Sequence, residues 1–152
     1  DLGRHRSQNA YGNRLGHVGD IGADANDPNS RMYQTCERQT CHTDSADVVG
    51  LLCIREAKEG GKSLLVSAET IYNRMKQECP DLLEKLFDPI ATDRRGEIPA
   101  GAKPYMEIPV LSWYEGNLTV FYQRQYINSA QRFDGAMCLS PEHVEALDMF
   151  NA

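Results

Sequence analysis

The sequence predicts a mainly β domain of sandwich type with helices set around it. Three observations carry that expectation: apolar, β-branched runs of strand length, a Gly-centred turn between two such runs, and helical stretches opened by Ser caps. A chain of 152 residues is enough for one domain with a real core. A net charge of −6, with no basic run beyond short pairs such as Arg94-Arg95, argues against a nucleic-acid partner. No apolar stretch approaches the ~20 residues needed to cross a bilayer. "DLGRHRSQNAYG" also lacks the apolar centre of a signal peptide, so a soluble, cytoplasmic chain is expected. The first residue is not Met, which leaves the natural N-terminus and any targeting segment open. The five cysteines are odd in number and scattered, with no C-x-x-C pair, which suits a reducing compartment better than a disulfide framework.

Taken in order, residues 1–30 are rich in Gly, Asn, Asp and Arg and read as a loop-rich segment of the same domain, a candidate flap. "RMYQTCERQTCH" alternates and has high β-propensity, which predicts an irregular strand pair leading into His42. "DVVGLLCIREA" (Asp47–Ala57) is a continuous apolar run of strand length, "KEGGKS" a turn, and "LLVS" a short return strand. Ser67 caps "AETIYNRMKQE", whose Ile71, Tyr72 and Met75 form an apolar stripe. Pro80 opens a second short helix with Leu82, Leu83, Leu86 and Phe87 on its buried face. "DPIATDRRGEIPAGAKP" reads as a loop, dense in Pro and Gly. "YMEIPVLSWY" and "LTVFYQRQYI" then flank "EGN", a hairpin signal with Gly116 in the turn. Finally, Ser140 and Pro141 start the helix "SPEHVEALDMF".

The chemistry-bearing stretch is "RQTCHTDSADVVGLL", where His42 and Asp44 stand two positions apart at the mouth of the apolar run. On a strand such residues share a face, whereas on a helix they diverge. A His and a carboxylate on one strand are two of the three ligands of the 2-His-1-carboxylate arrangement that holds non-haem Fe(II). The motif alone is weak. With four histidines and 22 acidic residues in the chain, chance supplies ~0.6 such matches, so context has to decide. A second match, His143-Val144-Glu145, lies on an expected helix and reads as solvated surface. A mutual hydrogen bond or loop cap is the structural alternative for His42 and Asp44, and a zinc site using Cys36, Cys41, His42 and Asp44 is a third reading, although the usual paired-Cys spacing is absent.

Taken together, "LGHVGDIG", "DPNSRMYQTCERQTCHTDSADVVGLLC", "GGKSLLVSAETIYNRM", "GAKPYMEIPVLSWYEGNLTVFYQRQYINSAQRF" and "LSPEHVEALDMF" resemble the TauD/TfdA-like Fe(II)- and 2-oxoglutarate-dependent dioxygenases, from about Tyr11 onward. The resemblance implies a double-stranded β-helix, a jelly-roll with flanking helices, here incomplete. It implies that His42 and Asp44 are the first two iron ligands. Ser63 falls where the family usually has a Thr whose hydroxyl helps to bind 2-oxoglutarate, a role a Ser hydroxyl can keep, and a plain turn residue after Gly60-Gly61 is the alternative. The family's distal His and the Arg that clamps 2-oxoglutarate have no counterpart: His143 is the only histidine after His42, and no Arg comes after it. The chain, with residues 31–152 as a partial jelly-roll, is therefore expected to be an N-terminal fragment, inactive alone. The implied reaction hydroxylates or oxidatively cleaves a small organic substrate, with 2-oxoglutarate and O2 as cosubstrates and no protein nucleophile or general base. The competing class is a non-catalytic jelly-roll binding module or degenerate remnant.

Other residues carry weaker expectations. Tyr122, Arg124 and Tyr126 alternate along an expected strand and share a face, which either lines the substrate pocket or is partly solvated. Trp113 beside the hairpin reads as packing, His17 as a surface loop residue, and Arg94-Arg95-Gly96 as a solvated loop.

Overall fold

A computed structural model describes residues 3–9 and 11–152; the loop expectation at residues 1, 2 and 10 lies outside them. Residues 3–30, so far as they are described, carry no helix or strand, and a 3-10 turn comes next at Met32–Gln34. Helices α1 (Ala68–Glu78) and α2 (Pro80–Lys85) lead into β1 (Ile90–Asp93), which pairs antiparallel with β2 (Tyr105–Ile108). Then come the hairpin β3 (Leu111–Tyr114) and β4 (Asn117–Val120), followed by α3 (Arg124–Ala130) and α4 (Pro141–Asn151). The described residues thus combine four helices with two small antiparallel sheets of two strands each. Among them no helix is long and apolar enough to cross a membrane.

Local chemistry explains the elements that match expectation. Ser67 Oγ accepts from Thr70 N and so satisfies one of the open amides at the start of α1. Pro80 sits at the start of α2, where its missing N–H costs nothing. Ser140 and His143 form a reciprocal capping box on α4. The hairpin turns through Glu115 (φ 49°) and Gly116 (φ 80°), both left-handed. That is the signature of the two-residue turn whose twist suits paired strands. Gly60 and Gly61 also take positive φ, in keeping with a turn at "KEGGKS", and a Cβ on Gly61 would meet Ala57 Cβ at 2.7 Å.

The main core joins α1, α2 and α4 to the strands: Met75, Leu83, Leu86, Ile90, Leu111, Ile127 and Leu147 are almost fully buried. Leu86 O accepts from Leu111 N (2.9 Å), fastening the end of α2 to the start of β3. A second, smaller cluster of Ala91, Tyr105 and Ala130 lies where α3 covers β1 and β2.

Several expectations are corrected. "RMYQTCERQTCH" is not a strand pair; apart from the 3-10 turn, it pairs only at an isolated bridge from His42 to Gln123. Asp47–Ala57 and the "LLVS" stretch form no strand, and Leu51, Leu52, Ile54 and Leu65 are 78%, 88%, 77% and 98% exposed. An apolar strand needs a neighbour for its ladder and a surface for its face, and no described residue supplies either. The loop expected over residues 88–104 contains β1, buried at every position. The long strand "YMEIPVLSWY" is cut at Pro109, which has no N–H to give to a ladder, so β2 and β3 belong to different sheets. "LTVFYQRQYI" leaves the sheet after Val120 and is helical from Arg124.

Candidate functional site

The His42 segment is held against the chain just beyond β4. Thr43 N donates to Tyr122 O at 2.9 Å, and Tyr122 N donates to Thr43 Oγ1 at 2.8 Å. These bonds seat His42 opposite Gln123 across the antiparallel bridge. The imidazole itself is oriented by its own loop: His42 Nδ1 lies 2.8 Å from Thr40 O. A carbonyl oxygen only accepts, so Nδ1 carries the hydrogen, and in the neutral ring the lone pair is on Nε2.

His42 lines a cleft of about 410 Å³ with Cys41, Thr43, Leu64–Val66, the α1 residues Ile71, Arg74 and Met75, the β4 residue Val120, and Tyr122 and Phe150. The walls are mostly apolar, and Arg74, paired with Glu78 at 3.0 Å, is the cation among the lining residues. Tyr122 is buried and meets Phe150 edge-on with ring centres 4.9 Å apart. Its hydroxyl is buried without a hydrogen-bond partner among the described residues. Burial pushes that phenol above its ordinary pKa, against the opposing influence of nearby Arg124.

The other expected site residues are placed differently. Asp44 is exposed and does not line the cleft, and Ser63 is exposed directly before the Leu64–Val66 wall. Among the described residues no group of three or more His, Cys, Asp or Glu side chains is placed to hold a metal ion, so the four-residue zinc arrangement does not assemble.

Tyr122, Arg124 and Tyr126 do not share a strand face. Tyr122 reaches the cleft, whereas Arg124 at the start of α3 pairs with Asp148 of α4 at 2.7 Å. The ring of Tyr126 lies 5.6 Å from the Arg31 guanidinium and 4.7 Å from that of Arg95. Its hydroxyl accepts from Arg31 at 2.9 Å, and Arg31 also pairs with Glu97 at 2.6 Å. Arg95 is therefore buried, donating to Pro28 O as well, and is not part of a solvated loop. His143 is likewise no surface residue: it is buried, with Nε2 3.1 Å from Asp88 Oδ2. Trp113 meets Tyr72 edge-on, ring centres 5.7 Å apart, but is 54% exposed, so it packs only in part. Two contributors escaped sequence reasoning, the Thr43 hydroxyl and the wall residue Arg74. The Thr between His and Asp, a β-branched residue with an acceptor oxygen beside an expected strand, was the available signal for the first.

A family model described as taurine catabolism dioxygenase TauD, TfdA family matches residues 2–152. FR-33289 synthase of Streptomyces rubellomurinus (strain ATCC 31215) is 36% identical over 122 residues, covering 80% of this chain and 36% of that protein. A taurine hydroxylase-like protein, SAT17, of Stachybotrys chartarum (strain CBS 109288 / IBT 7711) is 34% identical over 82 residues, 54% of this chain and 20% of that protein. The chain thus spans about a third or less of the length of these relatives. With the family model matching nearly the whole chain, around a His-Thr-Asp segment seated on the residues just past β4, the chain belongs to the TauD, TfdA dioxygenase family.

Proposed function

We propose that this chain contributes the first two metal donors, His42 and Asp44, of an Fe(II)- and 2-oxoglutarate-dependent dioxygenase acting on a small organic substrate. The observation that carries the reading is the His42 ring: the Nδ1–H donates to Thr40 O and leaves the Nε2 lone pair as a free donor. Metal-bound imidazoles are held in this manner, with the second ring nitrogen tied to a carbonyl or carboxylate. Asp44 supplies an acceptor-only carboxylate two residues on, the hard oxygen that completes the His-plus-carboxylate pair. Bound iron with 2-oxoglutarate and O2 supplies the oxidising power for hydroxylation or oxidative cleavage, and succinate and CO2 leave. The protein residues are left to bind, orient and exclude water. The cleft beside His42 offers the substrate a mostly apolar wall, with Arg74 among its lining residues. Ser63, exposed beside that wall, is the proposed hydroxyl partner of 2-oxoglutarate.

Two donors hold a first-row dication weakly, and no third His, Cys, Asp or Glu joins them among the described residues. The remaining ligand and the cation that pairs with the cosubstrate are proposed to come from residues other than these. The test is succinate release from 2-oxoglutarate by the full-length protein, together with its H42A and D44A variants. Iron-dependent turnover that both variants abolish supports the assignment. Turnover that survives either substitution overturns it, and iron-independent ligand binding with no turnover favours the non-catalytic jelly-roll module instead.

A further inference from the structure

Thr43, the residue between the two proposed donors, makes contacts that its neighbours do not. In a regular antiparallel ladder, facing residues alternate between pairs that exchange no backbone bond and hydrogen-bonded pairs that exchange two, each N–H meeting the other's carbonyl. Thr43 and Tyr122 keep one half of that exchange, Thr43 N to Tyr122 O at 2.9 Å. The other half is altered: Tyr122 N donates not to a backbone carbonyl but to the Thr43 hydroxyl, at 2.8 Å. A side-chain oxygen has taken the place of a ladder acceptor, the kind of local competition with sheet pairing that Thr is suited to. Regular pairing is confined to the single bridge at His42, and the chain turns away from the sheet into the irregular stretch that carries Asp44.

We infer that the Thr43 hydroxyl is a positioning device for the metal donors: a two-bond clasp on Tyr122 that fixes where His42 stands and where the chain departs toward Asp44. The inference rests on the assignment of His42 and Asp44 as donors and deepens it. The clasp ties the segment to the chain beyond β4 across 79 positions of sequence, right beside the bridge at His42. Residues 44–66 beyond it carry no helix or strand. Without the hydroxyl, half-buried Thr43 is left with one bond about which the segment can pivot, and the amide of buried Tyr122 is left without its acceptor. Any angular freedom so gained is passed directly to the imidazole one residue away. Val is the informative replacement, since it keeps the β-branch and the volume of Thr and removes only the acceptor. Ser keeps the acceptor and drops the methyl.

The experiment compares wild type, T43V, T43S and H42A in the full-length protein, titrated without oxygen with Co(II) as the spectroscopic probe. Alongside the titration run thermal melting of each metal-free protein and hydrogen exchange at the Tyr122 amide. The expected result is that T43V weakens Co(II) binding ~10-fold or more, in the range known for residues that orient metal ligands. T43S should stay within a factor of about three, and the melting temperatures of the two metal-free variants should not account for the difference. Co(II) binding by T43V equal to wild type, with H42A weakened, overturns the clasp and leaves the donor assignment standing. Binding unchanged in H42A overturns both. Should T43V fail to fold, the native Tyr122 amide decides: slow exchange in wild type and T43S supports the clasp, and exchange at the rate of an open amide overturns it.

Discussion

His143 Nε2 lies 3.1 Å from Asp88 Oδ2 and ties the first turn of α4 to the link between α2 and β1. The direction of that bond is set by the other side of the ring. Ser140 N donates to His143 Nδ1 at 3.3 Å, so Nδ1 is the acceptor and Nε2 carries the hydrogen that points at Asp88. One side chain thus completes a helix cap and joins two elements.

This predicts an asymmetry between the partners. His143→Ala removes the cap partner and the cross-link together and should cost about 1–2 kcal/mol of stability. Asp88→Asn keeps an acceptor oxygen at a half-exposed position, so its cost should stay below about 0.5 kcal/mol. Urea unfolding of the two variants measures both, and equal losses would show that charge rather than the hydrogen bond matters.

Asp93 is the second cross-link, at the end of β1 and 1% exposed. Burial pushes its carboxyl upward in pKa, but hydrogen bonds from Ser129, the Arg95 amide and Arg132 outweigh that and hold it below the ordinary aspartate range. The Ser129 and Arg95 bonds are 2.6 and 2.8 Å long. A carboxyl with a lowered folded value binds its proton more readily unfolded. Its contribution is therefore complete above the unfolded value of ~3.9 and is lost as the pH falls through the lower folded one. Asp93→Asn should cost about 2–3 kcal/mol at neutral pH, since it removes the charge that these donors converge on. Unfolding measured from pH 7 down to pH 2 should show a shallower acid limb in the variant, and parallel curves would refute the assignment.

The elements legible in the sequence are those whose signals are local. Ser67, Pro80, Ser140 and Pro141 mark helix starts through groups that lie within a few residues of them, and Glu115-Gly116 marks its turn through backbone conformation alone. His42 was legible as a ligand candidate because its motif is short and contiguous. What failed depends on partners distant in sequence. Ile90–Asp93 is only four residues long, among prolines and glycines, and becomes a strand because β2 arrives to pair with it and α3 to cover it. Asp93 and Arg95 look like solvated loop charges until Tyr126 and Ser129 of α3, and Arg132 in the turn after it, close over them. The alternation of Tyr122, Arg124 and Tyr126 misleads for a related reason. It has the period of a strand, but α3 takes over at Arg124, where Arg124 Nε reaches Asn128 one turn on at 3.0 Å.

Tyr126 makes the N-terminal side of this network testable. Its ring stands against both Arg31 and Arg95, so it joins the segment before His42 to the β1–β2 connection. Tyr126→Phe deletes the Arg31 bond and keeps both ring contacts, for an expected loss of about 0.5–1.5 kcal/mol. Tyr126→Ala also loses the cation–ring contacts and the burial, and should cost at least about 1 kcal/mol more. Limited proteolysis should then cut first near residues 27–35, which the cluster fastens. Cleavage no faster than in wild type would mean that the segment is held by other contacts.

The hairpin offers a stabilising change. Glu115 is a non-glycine residue at φ 49°, a conformation that costs most side chains free energy through the clash of Cβ with backbone. Asn tolerates that region better and is favoured at the first centre of turns of this type. Glu115→Asn should therefore raise stability by about 0.5–1 kcal/mol, seen as a higher melting temperature with an unchanged denaturant slope. Glu115→Val, β-branched in the same conformation, should do the opposite. A pair of variants that move together would place the energetics of the hairpin elsewhere, in the Ser112–Thr119 hydroxyl pair at 2.6 Å or in the packing of Trp113 on Tyr72.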